Sequence, residues 1–171
     1  MTETNETMIR DVTPGDADTV IEAAELSGLF SSEELGPLRE QLDKALAGTT
    51  DRAEHWIARF DNAGKAIGAA LFAEEMFTDR VWNLLFIGVR QDAQGSGVGS
   101  ALLRYVEDRL RERDQRMLII ETTTGPEFEN TRAFYRRHGY EHRGTIPDFY
   151  ANGQDKIVFL KRLDGAGATH E

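Results

Sequence analysis

Val89-Arg90-Gln91-Asp92-Ala93-Gln94-Gly95-Ser96-Gly97-Val98-Gly99 joins an apolar stretch to an amphipathic one, and its reading decides the fold. Upstream, Val81 to Val89 is apolar at Val81, Leu85, Ile87 and Val89 and also at Trp82, Leu84 and Phe86. A strand that is apolar on both faces is a central strand covered on both sides. Downstream, Val98, Leu102, Val106 and Leu110 recur every four residues, while Arg104, Glu107, Asp108, Arg111 and Glu112 supply a wet face, which is a helix pattern. The polar turn between them opens directly into that helix. The first N–H groups of a helix have no intrahelical acceptor and carry partial positive charge, so such a turn can hold an anion. Glycines at 95, 97 and 99 let a bulky anion reach the backbone with no Cβ in the way. The plainer reading is a glycine-rich turn that only starts a helix.

Outward from this turn the chain alternates recognisable elements. Met8 to Val12 predicts a short strand, and Thr13 or Asp16 with Pro14 predicts a helix start. Val20, Ile21, Ala24 and Leu26 are its apolar stripe, and Gly28 its stop. Leu35, Leu38, Leu42, Ala45 and Leu46 predict a helix over Ser32 to Ala47. His55 to Phe60 and Ala66 to Glu74 predict a hairpin around Asp61-Asn62-Ala63-Gly64, and Thr78-Asp79-Arg80 turns the chain into the central strand. Met117 to Thr122 is a short strand, Glu127 to Arg137 a helix stopped at His138-Gly139. Tyr140 to Thr145 and Lys156 to Leu163 form a last antiparallel pair, with Pro147 to Gln154 as the connection. The order β-α-α-β-β-β-α-β-α-β-β mixes hairpins with crossover helices and predicts an α+β or mixed-sheet α/β sandwich. One domain over residues 1–163 is expected, with a short polar tail, 164–171, that frays.

Composition narrows the function. With 40% hydrophobic and 29% charged residues the chain is an ordinary globular one. It has no apolar run near the roughly 18 residues of a membrane span. Its start, Met1 to Thr7, lacks a secretory pattern, so a cytoplasmic location is expected. The absence of cysteine excludes disulfides, a thiol nucleophile and thiolate metal sites. His55, His138, His142 and His170 have no metal-ligand spacing, and no metal is expected. A net charge of -10 argues against nucleic-acid binding, so an anion site must rest on backbone dipoles and a few arginines. Lysine is confined to Lys44, Lys65, Lys156 and Lys161; an acidic, lysine-poor chain suits a salt-rich cytoplasm, or is simply an acidic protein.

The stretch Gln94-Gly95-x-Gly97-Val98-Gly99-x-Ala101-Leu102-Leu103 after Val89 resembles the acyl-CoA-binding motif of the GNAT family of N-acetyltransferases, of form Gln/Arg-x-x-Gly-x-Gly/Ala. Further on, Asn130-Thr131-Arg132-Ala133-Phe134-Tyr135-Arg136-Arg137-His138-Gly139-Tyr140 resembles the second signature of the same family. The resemblance implies a three-layer sandwich with a central, mostly antiparallel mixed sheet. It also implies direct transfer of an acetyl group from acetyl-CoA, as cosubstrate, to an amine, with no metal and no enzyme-bound acyl intermediate.

Carried over residue by residue, Gln94, Gly95, Ser96, Gly97, Val98 and Gly99 would cradle the CoA pyrophosphate through backbone N–H groups. Ile87, Gly88 and Val89, at the end of the central strand, would meet the pantetheine arm and polarise the thioester oxygen, as in an oxyanion hole. Gly88 stands where the family often has a bulkier residue. Asn130 would flank the pantetheine arm or cap its helix, with Ala133 beside it. Tyr135 would protonate the leaving thiolate, or be a core aromatic. A general base is less clearly written: Glu121 at the end of the strand after the cradle helix comes first, Glu75 second and Asp148 third. Asn83 and Trp82 are further candidates for the acceptor pocket, with core packing as the alternative for Trp82.

Other readings compete. A dinucleotide site would also place glycines between strand and helix, with an acid such as Glu121 about 20 residues on, but the spacing here is G-x-G-x-G rather than G-x-G-x-x-G. No Gly-Lys-Ser/Thr follows, so a P-loop is excluded. A non-catalytic acyl-CoA-binding sensor of the same fold is the alternative to an enzyme. The loops Ala24 to Gly36 and Thr145 to Gln154 are expected to choose the acceptor. The acidic charge favours cationic amines, and a small or amino-acid-like amine is expected rather than a protein. Family analogy also allows a homodimer.

Overall fold

The computed structural model describes residues 9–165. Seven strands take the order β1-β2-β3-β4-β5-β7-β6 in one mixed, mostly antiparallel sheet, accompanied by four helices. The strands are β1 (Ile9–Asp11), β2 (Glu54–Phe60), β3 (Ala66–Glu74), β4 (Val81–Val89), β5 (Met117–Thr123), β6 (Glu141–Ala151) and β7 (Gln154–Arg162). The helices are α1 (Ala17–Leu26), α2 (Ser32–Ala47), α3 (Val98–Glu112) and α4 (Glu129–Arg137). The element order matches the expected one, and α2, β3 and β4 have the predicted bounds. Among the described residues, no helix is long and apolar enough to cross a membrane. Met1 to Met8, His170 and the tail beyond residue 165 lie outside the described residues. Asp164, where the tail was expected to begin, pairs with Arg162 at 2.7 Å.

The described chain falls into two compact units. The first comprises the chain up to Ala73 together with Phe86–Val106. In it β1 pairs with β2 and β2 with β3, both antiparallel. Val20, Ala23 and Ala24 of α1 and Leu38 and Leu42 of α2 pack in one cluster with Trp56, Ala58, Phe60, Ala69, Leu71 and Phe86. Residues two apart along a strand share a face, so α1 and α2 cover one face of these strands. Gly68 lies on the other face, where α3 arrives: a Cβ there would stand 3.0 Å from Val98 Cγ1 and 3.1 Å from Leu102 Cδ1. The helix therefore sits directly on the strand backbone, and its N-terminus is fixed beside the end of β4. The Arg90 N–H donates to the Ile67 carbonyl at 2.9 Å and holds the chain there as it leaves β4. From within β1, Arg10 grips Asp16 with two nitrogens, at 2.7 and 2.9 Å, and fixes the entry to α1.

The second unit comprises Glu74–Leu85 and the chain from Glu107 on. The parallel β4–β5 pairing runs from Val81↔Met117 to Leu84↔Ile120. β7 pairs antiparallel with both β5 and β6. Glu107, although 4% exposed, is fully engaged: Lys161 Nζ lies 3.1 and 3.0 Å from its two oxygens and the Tyr140 hydroxyl donates to it at 2.9 Å. A buried carboxylate needs such partners. Lys161 also donates to the His138 carbonyl at 2.8 Å, so this carboxylate ties α3, the end of α4 and β7 together.

Two expectations are corrected. Pro147 to Gln154 is not a connecting loop: β6 runs on to Ala151, β7 begins at Gln154, and only residues 152–153 turn. β6 is an edge strand, where proline is tolerated, and a bulge absorbs Asp148 at φ 52°. The Asp148 carboxylate accepts from the Gly153 N–H at 2.7 Å, and Asp155 accepts from the Asp148 N–H at 2.9 Å, so the bulge is closed locally. Second, β4 is not covered evenly. Trp82, Asn83, Leu84 and Phe86 are buried, whereas Leu85 is 38% exposed and Ile87 and Val89 are half-buried.

Candidate functional site

In the first unit, β4 ends in a loop built for close approach. After Arg90 comes one 3-10 turn, Gln91–Ala93, then an extended Gln94. Gly95 and Gly97 both have positive φ, 77° and 86°. A side chain at either position would be strained, so the glycines are required by the backbone path. As α3 begins, the Ala101 N–H donates to the Gly97 carbonyl at 3.0 Å. The first N–H groups of a helix carry partial positive charge and point out of its start. Gln94, Gly95, Ser96 and Gly97 are exposed, Gly99 is half-buried, and Val98 is anchored in the core. The Ser96 hydroxyl donates back to the Ala93 carbonyl and fixes the turn. Arg90, the neighbouring cation, is held by Asp92 at 2.7 Å, so attraction for an anion rests on the backbone and the helix dipole.

The strand end carries its own explanation for Gly88. A Cβ there would stand 2.6 Å from Phe86 Cε2 and 3.3 Å from Ser27 Oγ. The aromatic ring fills the space that a larger residue would take, and Gly88 is buried while its neighbours Ile87 and Val89 are partly open.

In the second unit, α4 begins after a 3-10 turn at Pro126–Phe128. Arg132 ties the helix to the preceding loop by donating to the Thr123 and Gly125 carbonyls, at 2.7 and 3.0 Å. The helix cap is Phe128, so Asn130 is not the cap; it is exposed in the first turn, with Ala133 half-buried one turn on. The Tyr135 ring is buried against Phe134, Tyr140 and Phe159, at centroid distances of 5.3, 5.8 and 6.3 Å. Burial pushes its phenol well above the ordinary value of 10.0, so the hydroxyl keeps its proton. The two readings of Tyr135, core aromatic and proton donor, are compatible: the ring is core, and no side-chain hydrogen bond engages its hydroxyl among the described residues.

The three carboxylates differ in their surroundings. Glu121 lies one residue beyond the β4–β5 pairing and is joined to Lys156 at 2.8 Å. Lys156 Nζ also lies 4.5 Å from the centre of the Phe149 ring. Asp148 is occupied in the β6 bulge. Glu75, half-buried where β3 ends, accepts from the Asn83 amide at 3.4 Å. The Asn83 Oδ1 is buried with no partner. Trp82 packs into the core and donates its indole N–H to Gln115 at 2.8 Å. Sequence reasoning named Glu121, Glu75 and Asn83 separately. It did not find the Lys156–Glu121 pair or the Asn83–Glu75 contact, because neither pairing has a sequence spacing that marks it.

Solved acetyltransferases share this fold. A GNAT-family acetyltransferase from Desulfovibrio desulfuricans superposes with a TM-score of 0.85 at 29% identity, covering 91% of this chain and 98% of that one. The ribosomal-protein-S18-alanine N-acetyltransferase of Escherichia coli gives 0.73 at 19% identity, covering 95% and 97%. An aminoglycoside 6'-N-acetyltransferase complexed with coenzyme A gives 0.71 at 15% identity, covering 94% and 99%. The last two are likenesses of fold. The model of the acetyltransferase (GNAT) family matches residues 21–140. That match takes in both signatures quoted from the sequence, and on that ground the chain belongs to the GNAT acetyltransferase family.

Proposed function

We propose that this protein transfers an acetyl group from acetyl-CoA directly to the amine of a small or amino-acid-like acceptor. The observation that carries the reading is the cradle: two exposed glycines with positive φ that lead into the start of a helix anchored by Val98. This is the geometry that binds a pyrophosphate. The coenzyme A in the aminoglycoside acetyltransferase of like fold supports the same cosubstrate. Residues 94–99 hold the pyrophosphate, Ile87 to Val89 meet the pantetheine arm, and Asn130 and Ala133 flank it.

In the proposed transfer the amine nitrogen attacks the thioester carbonyl carbon, the carbon–sulfur bond breaks, and the thiolate takes the Tyr135 hydroxyl proton. An ammonium acceptor gives up one proton to a carboxylate before it attacks, directly or through water, and the second proton it sheds as the amide forms restores the Tyr135 hydroxyl. Glu75 is the less encumbered base. Its neighbour is the neutral amide of Asn83, whereas Glu121 is joined to Lys156 and would break that ion pair on taking a proton. The chain's acidic charge favours a cationic amine.

Thermal unfolding with acetyl-CoA, and with NADH as control, tests the cosubstrate. A ligand at 100 times its Kd stabilises by about 2.7 kcal/mol, several degrees for a domain of this size. A shift with acetyl-CoA alone supports the reading, and CoA release against a panel of cationic and neutral amines then identifies the acceptor. No shift at millimolar acetyl-CoA, or a shift with NADH instead, refutes it.

A further inference from the structure

The cradle acts through its backbone, and the side chain of Gln94 is engaged elsewhere. Its amide nitrogen donates to the Val89 carbonyl at 3.0 Å and to the Ser27 carbonyl at 3.4 Å. A glutamine amide has two N–H donors, so both are committed within the protein. Ser27, just past the end of α1, is buried. Its hydroxyl donates to the Ala24 carbonyl at 2.6 Å and accepts from the Leu29 N–H at 3.3 Å. Three neighbouring contacts seat the same connection. Gln91 lies flat against Gly28, with Nε2 2.6 Å from where a Cβ would stand. Ser27 Oγ would meet a Cβ on Gly88 at 3.3 Å. The Phe30 ring packs on Phe86 at 5.0 Å, and Phe86 on Trp56 at 6.3 Å. The connection between α1 and α2 is thus seated on the end of β4 and on the cradle loop, all within the first unit.

We propose that Gln94 is a positioning residue: its side chain latches the α1–α2 connection, residues 27–31, to the cradle, so that filling the cradle fixes the connection expected to choose the acceptor. The proposal rests on the acyl-CoA reading above. One residue lends its backbone to the anion and its side chain to the loop. Ordering the backbone at 94–97 therefore restricts the amide that holds Ser27. By linkage the effect is reciprocal, and whatever orders the connection favours the filled cradle by the same factor. Gln94 is exposed, so its side chain can be removed without opening the core.

Hydrogen–deuterium exchange of the full chain, with and without saturating coenzyme A, tests this in the wild type and in Gln94→Leu. The wild type should show slower exchange at residues 95–99 and at 28–31 when coenzyme A is added. In Gln94→Leu, at a coenzyme A concentration raised until 95–99 slow again, the slowing at 28–31 should shrink by about fivefold or more, the lower range of coupling between sites. Phe30→Ala loosens the connection from its far side and should weaken coenzyme A binding. Equal slowing at 28–31 in Gln94→Leu and wild type overturns the latch. So does a wild-type connection that stays unchanged while the cradle slows, or unaltered coenzyme A affinity in Phe30→Ala. If coenzyme A leaves residues 95–99 of the wild type unchanged, the acyl-CoA reading itself falls and takes the latch with it.

Discussion

Lys156 Nζ lies 2.8 Å from Glu121 Oε1, and this contact separates the two carboxylates that the sequence offers as a base. Glu121, two residues before the end of β5, is already joined to an ammonium. Glu75 has the Asn83 amide against it and no ion pair among the described residues. Glu75→Gln should therefore lower kcat by about 10²–10⁴-fold, the usual range for a general base, with Glu121→Gln falling well short of that. Comparing kcat over pH 6 to 9 for both variants, roughly the window in which catalytic groups titrate, gives the order. The reverse order would make Glu121 the base and Lys156 its regulator.

Tyr135→Phe separates the ring from its hydroxyl. The ring packing against Tyr140 and Phe159 is kept, and no side-chain hydrogen bond is lost among the described residues. Stability and coenzyme A affinity should stay near wild type while turnover drops by about 10²-fold or more. Undiminished turnover would leave Tyr135 as a core aromatic and nothing else.

Alkaline titration reads the buried phenols. Burial raises Tyr135 and Tyr140 above the ordinary 10.0, and the nearby Glu107 raises Tyr140 further. A group whose folded value is raised contributes stability that is complete below its unfolded value and is lost as pH climbs toward the folded one. Stability should thus fall above about pH 10. Absorbance of phenolate should stay short of all four tyrosines until far-ultraviolet circular dichroism shows unfolding. Full ionisation of a still-folded protein would contradict the burial of both rings.

Gly68→Ala probes how α3 is seated. The added methyl would meet Val98 and Leu102 side chains at 3.0 and 3.1 Å and the Gly88 carbonyl at 3.1 Å. Overpacking of this kind costs about 1–3 kcal/mol. Both the melting temperature and coenzyme A affinity should fall, because the helix start that forms the cradle is the part displaced. Lower stability with unchanged affinity would show that the core absorbs the methyl without moving the helix.

Asp92→Asn releases Arg90 beside the cradle, where Asp92 now holds it at 2.7 Å. Coenzyme A should bind a few-fold more tightly at low salt, and the gain should fade as salt screens the exposed charge. A gain that persists at high salt would point to a rearranged loop rather than to charge.

The sequence by itself determined the order of elements, the bounds of α2, β3 and β4, and the glycine turn into α3. These depend on local patterns: apolar residues at strand or helix spacing, and glycines where the backbone turns with positive φ. Its misses have physical causes. Pro147 and Asp148 read as a loop because proline and aspartate usually break strands, yet an edge strand tolerates the one and a bulge the other. The even apolar run of β4 did not reveal that Leu85, Ile87 and Val89 would stay partly open. Only tertiary structure decided the partners. Glu121 received Lys156, Glu75 received Asn83, and the Gln94 amide received Ser27 from 67 residues away. Such pairings follow from where strands and helices meet in space, and no local preference of the chain encodes them.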